Sequence, residues 1–359
     1  MDENRSETDK LEARLGERWD AIRKARQQTD ELLRILRETL ADLHDSNLSI
    51  VVTGSLGRGE VTHNSDADWV LLVDGPSIPD HAKMLPVISA RVSDLGIRGP
   101  GRTGTFGSLV SSHDLVQYIA GTRDTNENLT RRILLLAESK ALTNPMVRER
   151  VIQNVLARYV VYDRSVPRKD GRPYTIPQFL LNDVVRYWRT MASDYASKMW
   201  ERQHDEWGIR NIKLRFSRKL LFVWGLLASF SAQLFEHPQL SEERLQKVEN
   251  AEEYYVRLSE AIREQTEVTP LELLARVVNQ QANDDTARAI FSSYNDFLAL
   301  LSDETAREAL QAVRFEDAAT DPAYGSLRKA SGSFRSGINR LFFDDHPVLR
   351  NLIRDYGVF

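Results

Sequence analysis

Apolar residues recur at mostly helical spacing between charged residues over positions 9–43. Leu11, Leu15 and Trp19 begin this series, and further leucines continue it to the end of the segment. The pattern predicts an amphipathic helix or a pair of helices whose apolar face lies on the remainder of the protein. We assign residues 1–46 to this N-terminal helical segment.

Two short apolar runs follow, and each ends at a turn signal. LSIVVTG at 48–54 is rich in β-branched residues, and ADWVLLVDG at 67–75 ends in Asp-Gly. Apolar runs of this length between turn residues predict buried strands. The periodicity of residues 79–95 predicts a helix, and the stretch 97–110, rich in Gly and Arg, predicts a loop followed by a strand. The region 47–145 therefore combines strands with helices.

The sequence changes character after Pro145, where long helical periodicities replace the strand signals. The most apolar segment, LFVWGLLASF at 221–230, is about half as long as the roughly 20 residues that a membrane-spanning helix needs, so we interpret it as a buried core helix. The loop at 165–175 carries proline, glycine and charge and is the best candidate for a connector. We place the domain boundary near 144–174 and assign residues 146–359 to a helical domain.

Composition excludes several classes of protein. A chain of 359 residues exceeds what one hydrophobic core usually supports, so we expect two domains. A net charge of −4 and 42% hydrophobic residues exclude a disordered chain, a collagen-like chain and a strongly basic nucleic-acid coat. The absence of cysteine excludes disulfide frameworks, thiolate zinc sites and cysteine nucleophiles. It also suits a reducing compartment, and the N-terminus lacks a secretory signal, so we expect a cytoplasmic protein with no membrane partner.

The candidate chemistry lies in the segment VVTGSLGRGEVTHNSDADWVLLV at 51–73. Asp66 and Asp68 open the second predicted strand two residues apart, so their carboxylates face the same side of that strand. Two like charges so close repel each other unless a cation lies between them. Mg²⁺ prefers oxygen ligands and keeps positions for water and substrate phosphates. Asp66 and Asp68 are therefore candidate metal ligands, the alternative being turn formers at the start of a strand.

The turn after the first predicted strand offers a phosphate site. Gly54 lets the backbone approach a phosphate because it has no Cβ, and Ser55 offers a hydroxyl and an N–H at a helix N-terminus, where anions bind. Phosphate and metal would then meet at one edge of the sheet.

The Gly54-Ser55 turn followed by S-D-A-D at 65–68, with a predicted strand on either side, resembles the nucleotidyltransferase superfamily typified by DNA polymerase β. The resemblance implies an α+β fold, with a small mixed-sheet nucleotidyltransferase domain followed by a helical domain. It also implies the transfer of a nucleoside monophosphate from an NTP substrate to an acceptor, with Mg²⁺ or Mn²⁺ as the metal.

The same superfamily uses a third carboxylate from a later strand, either as a metal ligand or to accept the proton of the attacking hydroxyl. Glu138 is the better candidate, because an apolar run presents it two residues before Lys140. This arrangement resembles the acid-x-basic element of bacterial protein-modifying uridylyltransferases, although it uses Glu and Lys. Periodicity alone does not separate a strand from a helix in this run. The competitor, Asp114, also suits the first turn of a helix capped by Ser111 or Ser112.

Arginines in two loops are further candidates for phosphate binding. Arg58 in SLGRGE and Arg102 in GPGRTG either reach the triphosphate or are solvent-exposed.

The strongest basic cluster is RNIKLRFSRK at 210–219. On a helix, Arg215, Arg218 and Lys219 share one face and Lys213 lies well away from it. The resemblance implies that a Lys or Arg of the helical domain holds the β- and γ-phosphates, so we take one candidate from each side, Lys213 and Arg218. A solvated helix face is the alternative.

A second basic segment, SLRKASGSFRSGINRLFF at 326–343, lies near the C-terminus. Its mixture of basic and small residues predicts a mobile basic loop before a last helix, and a phosphate or RNA contact is the alternative.

The sequence leaves the acceptor open. A modifying enzyme would transfer the nucleotide to a hydroxyl of a protein or a small molecule, whereas a signal synthase resembling the cyclic-oligonucleotide enzymes of bacterial antiphage defence would join NTPs to each other. A nucleotide-sensing or toxin–antitoxin scaffold would keep the fold without turnover. Nothing in the sequence indicates a nucleic-acid partner.

Overall fold

The computed structural model describes residues 5–76, 78–101, 105–160, 176–201, 206–235, 240 and 251–357. It contains two compact units whose segments alternate along the chain. The first, here called the helical unit, comprises Met1–Arg26, Trp188–Leu227 and Pro270–Phe359; the second, the sheet unit, comprises Gln27–Tyr187 and Ala228–Thr269. The linear division after residues 46 and 145 stays a prediction, and the expected connector at 165–175 lies outside the described residues.

The sheet unit contains a small mixed sheet, as predicted. Its strands are β1 (Leu48–Val52), β2 (Trp69–Val73), β3 (Ser108–Ser111) and β4 (Lys140–Ala141). They lie in the order β3-β2-β1-β4. β1 is antiparallel to β2 and to β4, whereas β2 and β3 are parallel. The two apolar runs that predict buried strands form β1 and β2, and all residues of these strands are buried.

Helices account for most of the other described residues. The first seven are α1 (Glu7–Leu15), α2 (Asp20–Leu40), α3 (Gly54–Arg58), α4 (Pro79–Asp94), α5 (Ser112–Gln117), α6 (Asn126–Ala137) and α7 (Pro145–Val160). Next come α8 (Gln178–Glu201), α9 (Trp207–Arg215), α10 (Ser217–Ser229), α11 (Ser231–Leu234) and α12 (Ala251–Thr266). The last are α13 (Pro270–Gln281), α14 (Asp284–Ser302), α15 (Glu304–Ala312), α16 (Pro322–Arg340) and α17 (Pro347–Leu352), with π-helical turns at Leu341–Asp345 and Ile353–Gly357. The amphipathic helices predicted at 9–43 are confirmed as α1 and α2. The mixed sheet together with these many helices confirms the α+β class.

Leucines of α2 pack against the sheet. Leu33, Leu36 and Leu40 belong to one buried cluster with Ile50 of β1 and Leu71 of β2. Their spacing of three and four residues places the three leucines on one face of the helix. Burial of each such side chain contributes about 1.5–3 kcal/mol. This cluster holds α2 against the two strands that flank the loop with the candidate chemistry.

The apolar run before Glu138 forms helix α6 and not the strand that the resemblance implies. Thr125 caps this helix by accepting a hydrogen bond from a backbone N–H of the first turn. Arg132 in α6 is fully buried, and Asp124 and Asp183 compensate its charge at 2.9 and 2.8 Å. Because the last six residues of α6 are all buried, the run lacks the exposed polar stripe that identifies a helix from sequence.

The basic segment 210–219 is interrupted at Phe216, so the prediction of one continuous helix is wrong. Phe216 has φ −112° and ψ −89°, and it separates α9 from α10. Its buried ring stacks on Phe297 with 4.6 Å between the centroids and lies 5.3 Å from the ring of Phe334. Burial of this ring among other aromatic side chains favours the break over a regular helix.

The basic segment 326–343 is largely helical, so the prediction of a loop is wrong. It lies mostly in α16, which begins with Pro322 after Asp321, whose side chain accepts a backbone N–H of the first turn at 2.7 Å. Several glycines lower the helix propensity of the segment, but tertiary packing overrides it. An ideal Cβ on Gly337 would lie 2.7 Å from Cγ1 of Ile290, so this glycine allows α16 to pack closely on α14.

The most apolar segment, 221–230, is a buried core helix as predicted, since it lies largely in α10, where Trp224 and Leu227 are fully buried. In the described part of the chain, we find no helix that combines the length and the apolar character needed to cross a membrane.

His346 makes the stability of the helical unit depend on pH. It is buried, its Nδ1 accepts the backbone N–H of Leu349 at 3.3 Å, and its Nε2 has no hydrogen-bond partner among the described residues. Burial lowers the pKa of His346 below its ordinary value of 6.5. The native state therefore binds fewer protons than the unfolded state, so the stability contributed by neutral His346 is present above pH 6.5 and is lost as the pH falls below it.

We expect the melting temperature of the protein to fall between about pH 7.5 and about pH 5.5, and His346→Asn to reduce that fall, since asparagine keeps a helix-capping oxygen and does not titrate. Thermal denaturation of both proteins at the two pH values measures this. An equal fall in both proteins would contradict it.

Candidate active site

The predicted glycine turn lies directly against the second aspartate. Gly54 has φ +67°, a left-handed conformation that glycine adopts without strain. An ideal Cβ on Gly54 would lie 3.0 Å from Oδ2 of Asp68, so a side chain here would crowd that carboxylate. The backbone N–H of Thr53 donates to the carbonyl of Asp68 at 2.9 Å and joins the two segments. The structure thus brings together Gly54 and Asp68, which are distant in the sequence.

Asp66 and Asp68 lie just before the start of β2. Asp66 forms an isolated bridge with Arg98, and the N–H of Ala67 donates to the carbonyl of Arg98 at 2.8 Å. Exposure alternates along this stretch: the side chain of Asp66 is 44% exposed, Ala67 is buried, and Asp68 is half-buried. In extended backbone, residues two apart face the same side. The alternation agrees with the expected shared face of the two carboxylates, which stays a prediction, and Arg98 Nη1 lies 4.0 Å from Oδ1 of Asp66.

Glu138 follows α6 and is buried against the glycine turn. Its Oε1 accepts the backbone N–H of Gly54 at 2.9 Å, and its Oε2 pairs with Nη1 of Arg58. Burial raises the pKa of Glu138, while the positive charge of Arg58 and the two hydrogen bonds act against that rise. Both carboxylate oxygens are thus engaged with the turn, and the side chain is only 3% exposed.

Gly57 gives α3 a further contact with the same residue. An ideal Cβ on Gly57 would lie 1.6 Å from the backbone oxygen of Glu138, so no side chain fits between α3 and this backbone. Helix α3 therefore contacts Glu138 at its beginning through Gly54, in its middle through Gly57 and at its end through Arg58. These contacts determine where the glycine turn lies relative to Asp68.

Arg58 is engaged by two buried carboxylates. Its Nε donates to Oε2 of Glu60 at 2.7 Å, and it also pairs with Glu138, while its own side chain is 13% exposed. The structure thus places Arg58 next to the glycine turn as an internal ion-pair partner. The sequence leaves open whether Arg58 reaches the triphosphate or is exposed to solvent. Because its side chain is only 13% exposed, the solvent-exposed alternative is wrong.

Ser55 lies in the first turn of α3, after the N-cap Thr53, and it is half-buried. Its carbonyl accepts the backbone N–H of Glu60 at 2.9 Å, which closes the C-terminal end of the short helix. The hydroxyl of Thr53 is buried and has no hydrogen-bond partner among the described residues.

The alternative third carboxylate, Asp114, lies in the first turn of α5. Ser111 caps this helix by accepting the backbone N–H of His113 at 3.2 Å, so the helix-cap interpretation of Asp114 is confirmed. Among the described residues, no three or more His, Cys, Asp or Glu side chains are grouped so that they could hold a metal ion.

Other predicted phosphate-binding residues lie outside the sheet unit or outside the described chain. Lys213 is on α9 and Arg218 is on α10, both in the helical unit. Arg102 lies outside the described residues. The roles of these three residues stay predictions.

Sequence reasoning missed Gly57 as a determinant of the site. The sequence feature that could have indicated its role is the position of Gly57, three residues after Gly54 and inside a segment that forms a helix. A glycine within a helix lowers stability unless it has a packing reason, and here that reason is the backbone of Glu138.

Comparison with known families identifies part of the sheet unit. Residues 33–110 match a family model described as a nucleotidyltransferase domain. The match includes the glycine turn and both aspartates and ends before Glu138. A search of curated proteins found no match to the chain.

Proposed function

We propose a function from the premise that residues 33–110 are a nucleotidyltransferase domain of the DNA polymerase β-like superfamily. The chain transfers a nucleoside monophosphate from an NTP to a hydroxyl of a protein or small-molecule acceptor and releases pyrophosphate. The close approach of Gly54 to Asp68 carries this proposal, because it supports a phosphate-binding turn beside a metal-binding carboxylate within one domain.

The donor set fits Mg²⁺ or Mn²⁺. Asp66 and Asp68, two residues apart, offer carboxylate oxygens, and hard divalent cations prefer such oxygens. Two carboxylates leave coordination positions for water and for phosphate oxygens of the nucleotide. When bound, the ion would neutralise charge on the triphosphate and on the leaving pyrophosphate.

The protein's own contribution is to bind and orient the nucleotide. The lack of a side chain at Gly54 lets the turn lie close to Asp68, and Ser55 offers a hydroxyl and a backbone N–H in the same turn. The acceptor oxygen then bonds to the α-phosphorus as the bond to pyrophosphate breaks, and the proton of the hydroxyl passes to solvent. This reaction requires positioning and charge stabilisation and no protein nucleophile.

Glu138 is best described as a positioning residue for this turn. The resemblance suggested a metal ligand or a proton acceptor, but both of its oxygens bind the turn, through Gly54 and Arg58. A role as a metal ligand would require Glu138 to give up the ion pair with Arg58.

We expect Glu138→Gln to raise KM for the NTP by up to about tenfold and to lower kcat by less than that, since glutamine keeps an acceptor for the Gly54 N–H but loses the charge opposite Arg58. Asp114→Asn, the matched control, should leave both constants near the values of the unmodified protein. Steady-state kinetics on both variants measures the split. A fall of about a thousandfold in kcat of Glu138→Gln alone would instead support a metal ligand or a proton acceptor.

Incubation with each of the four NTPs, labelled at the α-phosphate, tests the function directly. In the presence of Mg²⁺ or Mn²⁺ and a cell extract as the source of acceptors, we expect release of pyrophosphate and label on a protein or a small molecule. Label confined to an oligonucleotide product of low mass would support the signal synthase instead. Nucleotide and metal binding without any product would support a scaffold. This is the second candidate, because the described residues contain no group of three or more possible metal ligands.

A further inference from the structure

The helical unit contains a basic cavity that the proposed function does not use. Its volume is about 390 Å³, within the range of roughly 300–1,000 Å³ typical of small-molecule pockets. It is lined by Arg215, Lys219, Arg328, Ser331, Gly332 and Arg335. All six residues belong to the helical unit, and none lies within the nucleotidyltransferase domain at 33–110. We call this cavity the basic pocket.

Buried aromatic residues fix the walls of the basic pocket. Phe216 and Phe334 are fully buried, and their ring centroids lie 5.3 Å apart. Arg215 directly precedes Phe216 at the end of α9, and Arg335 directly follows Phe334 on α16. The two arginines therefore extend from backbone positions that the aromatic cluster holds in place.

Arg215 is also oriented by hydrogen bonds. Its Nε donates to Oδ1 of Asn211 at 2.6 Å, and the hydroxyl of the buried Tyr324 donates to the same oxygen at 2.9 Å. Asn211 thus orients the guanidinium of Arg215. Because asparagine is neutral, this hydrogen bond does not compensate the positive charge of Arg215 at the pocket wall.

One face of α16 forms the opposite wall. Arg328, Gly332 and Arg335 follow one another at intervals of four and three residues and therefore share a face. An ideal Cβ on Gly332 would meet nothing within 4 Å, so the space above this glycine belongs to the cavity. The hydroxyl of Ser331 donates to the carbonyl of Arg328 at 2.8 Å and keeps its oxygen as an acceptor.

No ion pair among the described residues compensates the charge of the basic pocket. None of its four cationic side chains forms an ion pair with a carboxylate in the part of the chain that the structure describes. Burial together with the charges of Arg335 and Arg215 lowers the pKa of Lys219, the response expected of an ammonium group among like charges. Arg215 and Lys219 are half-buried, whereas Arg328 and Arg335 are exposed. Four cations around one pocket repel one another, and an anion with several charges relieves that repulsion.

We propose that the basic pocket binds a compact anion bearing two or three phosphate groups. Arginine forks and a lysine suit phosphate oxygens, and the volume of about 390 Å³ suits a small molecule. The phosphates come from one of two sources, the triphosphate of a nucleotide or a separate phosphorylated acceptor or effector. The proposal does not depend on the proposed function, because binding requires no turnover.

Isothermal titration calorimetry of the full chain with sodium tripolyphosphate, without divalent metal and at low ionic strength, tests the proposal. We expect saturable binding of one tripolyphosphate and weaker binding of inorganic phosphate. Arg328→Gln and Arg335→Gln should each weaken tripolyphosphate binding about tenfold or more. Lys329→Gln is the matched control, because it removes one charge from an exposed position of the same helix that does not line the cavity, and it should change affinity by less than about twofold.

A variant that fills the cavity without changing charge gives an independent measurement. Gly332→Leu would occupy the space above α16, and nothing near its Cβ obstructs the fold. It should abolish tripolyphosphate binding, whereas Gly325→Leu on the same helix, which also meets nothing within 4 Å and does not line the cavity, should not. The absence of binding to the unmodified protein, or equal losses in the lining variants and their controls, would overturn the proposal.

Competition identifies the source of the phosphates. If a nucleotide supplies them, an NTP without metal displaces tripolyphosphate from the unmodified protein. If a separate phosphorylated molecule supplies them, an NTP leaves tripolyphosphate bound. Both results support an oligophosphate site, and each assigns it to one source.

Discussion

Asp68→Asn is expected to lower the rate of nucleotidyl transfer by about a thousandfold or more while leaving the fold intact. Asparagine has nearly the same size and shape as aspartate, so it preserves the close approach to Gly54 and removes only the charge. Without that charge the site would hold a divalent ion more weakly, because the amide oxygen of asparagine is neutral, and the ion would give less stabilisation to the leaving pyrophosphate. Asp66→Asn is expected to act in the same direction, since Asp66 is the other predicted ligand. Pyrophosphate release under saturating NTP measures the rate.

Asp94→Asn is a matched control for both substitutions, because Asp94 is an exposed aspartate of the same unit at the end of α4. It should leave the rate unchanged. Titration with Mn²⁺ gives a second measurement, in which Asp68→Asn should bind the ion more weakly and Asp94→Asn should bind it as the unmodified protein does. Chelation of the metal should stop transfer by the unmodified protein. Transfer by Asp68→Asn within about tenfold of the unmodified rate would place the metal site elsewhere.

Gly57→Ala is expected to destabilise the sheet unit by about 3 kcal/mol or more and to reduce transfer strongly. The added Cβ would lie 1.6 Å from the backbone oxygen of Glu138, so α3 or the segment after α6 must move. That movement would break the hydrogen bond from Gly54 to Glu138 and shift the turn away from Asp68. Thermal or chemical denaturation measures the stability, and pyrophosphate release measures the activity.

Gly99→Ala provides the control, because nothing lies within 4 Å of an ideal Cβ at Gly99. This variant should keep the stability and activity of the unmodified protein. If Gly57→Ala melted at the same temperature as Gly99→Ala, the packing of α3 on Glu138 would not hold in solution.

The local sequence pattern was sufficient to predict the two strands on either side of the loop that contains the aspartates. β1 and β2 are apolar runs bounded by turn residues, and both are buried throughout, so the pattern and the burial agree. The shared face of Asp66 and Asp68 is a prediction from local geometry alone, because it requires only extended backbone.

Hydrophobic periodicity did not predict the secondary structure where a segment is buried on every side or where tertiary packing overrides its helix propensity. The end of α6 is buried on every side, so its residues show no contrast between faces and the run is compatible with a strand or a helix. The segment 326–343 contains glycines that disfavour a helix, yet α16 forms because Gly337 allows close packing on Ile290. The break at Phe216 likewise results from the partners of its ring and not from a helix-breaking residue.

The amino-acid sequence by itself determined the class of fold, the two buried strands, the glycine turn and the pair of aspartates, because each depends on neighbours along the chain. Only the tertiary structure decided that Gly54 lies beside Asp68, that Glu138 holds the turn, and that four cations from three helices line one pocket. These features join residues far apart in the chain, and their geometry results from packing between elements, which no local pattern records.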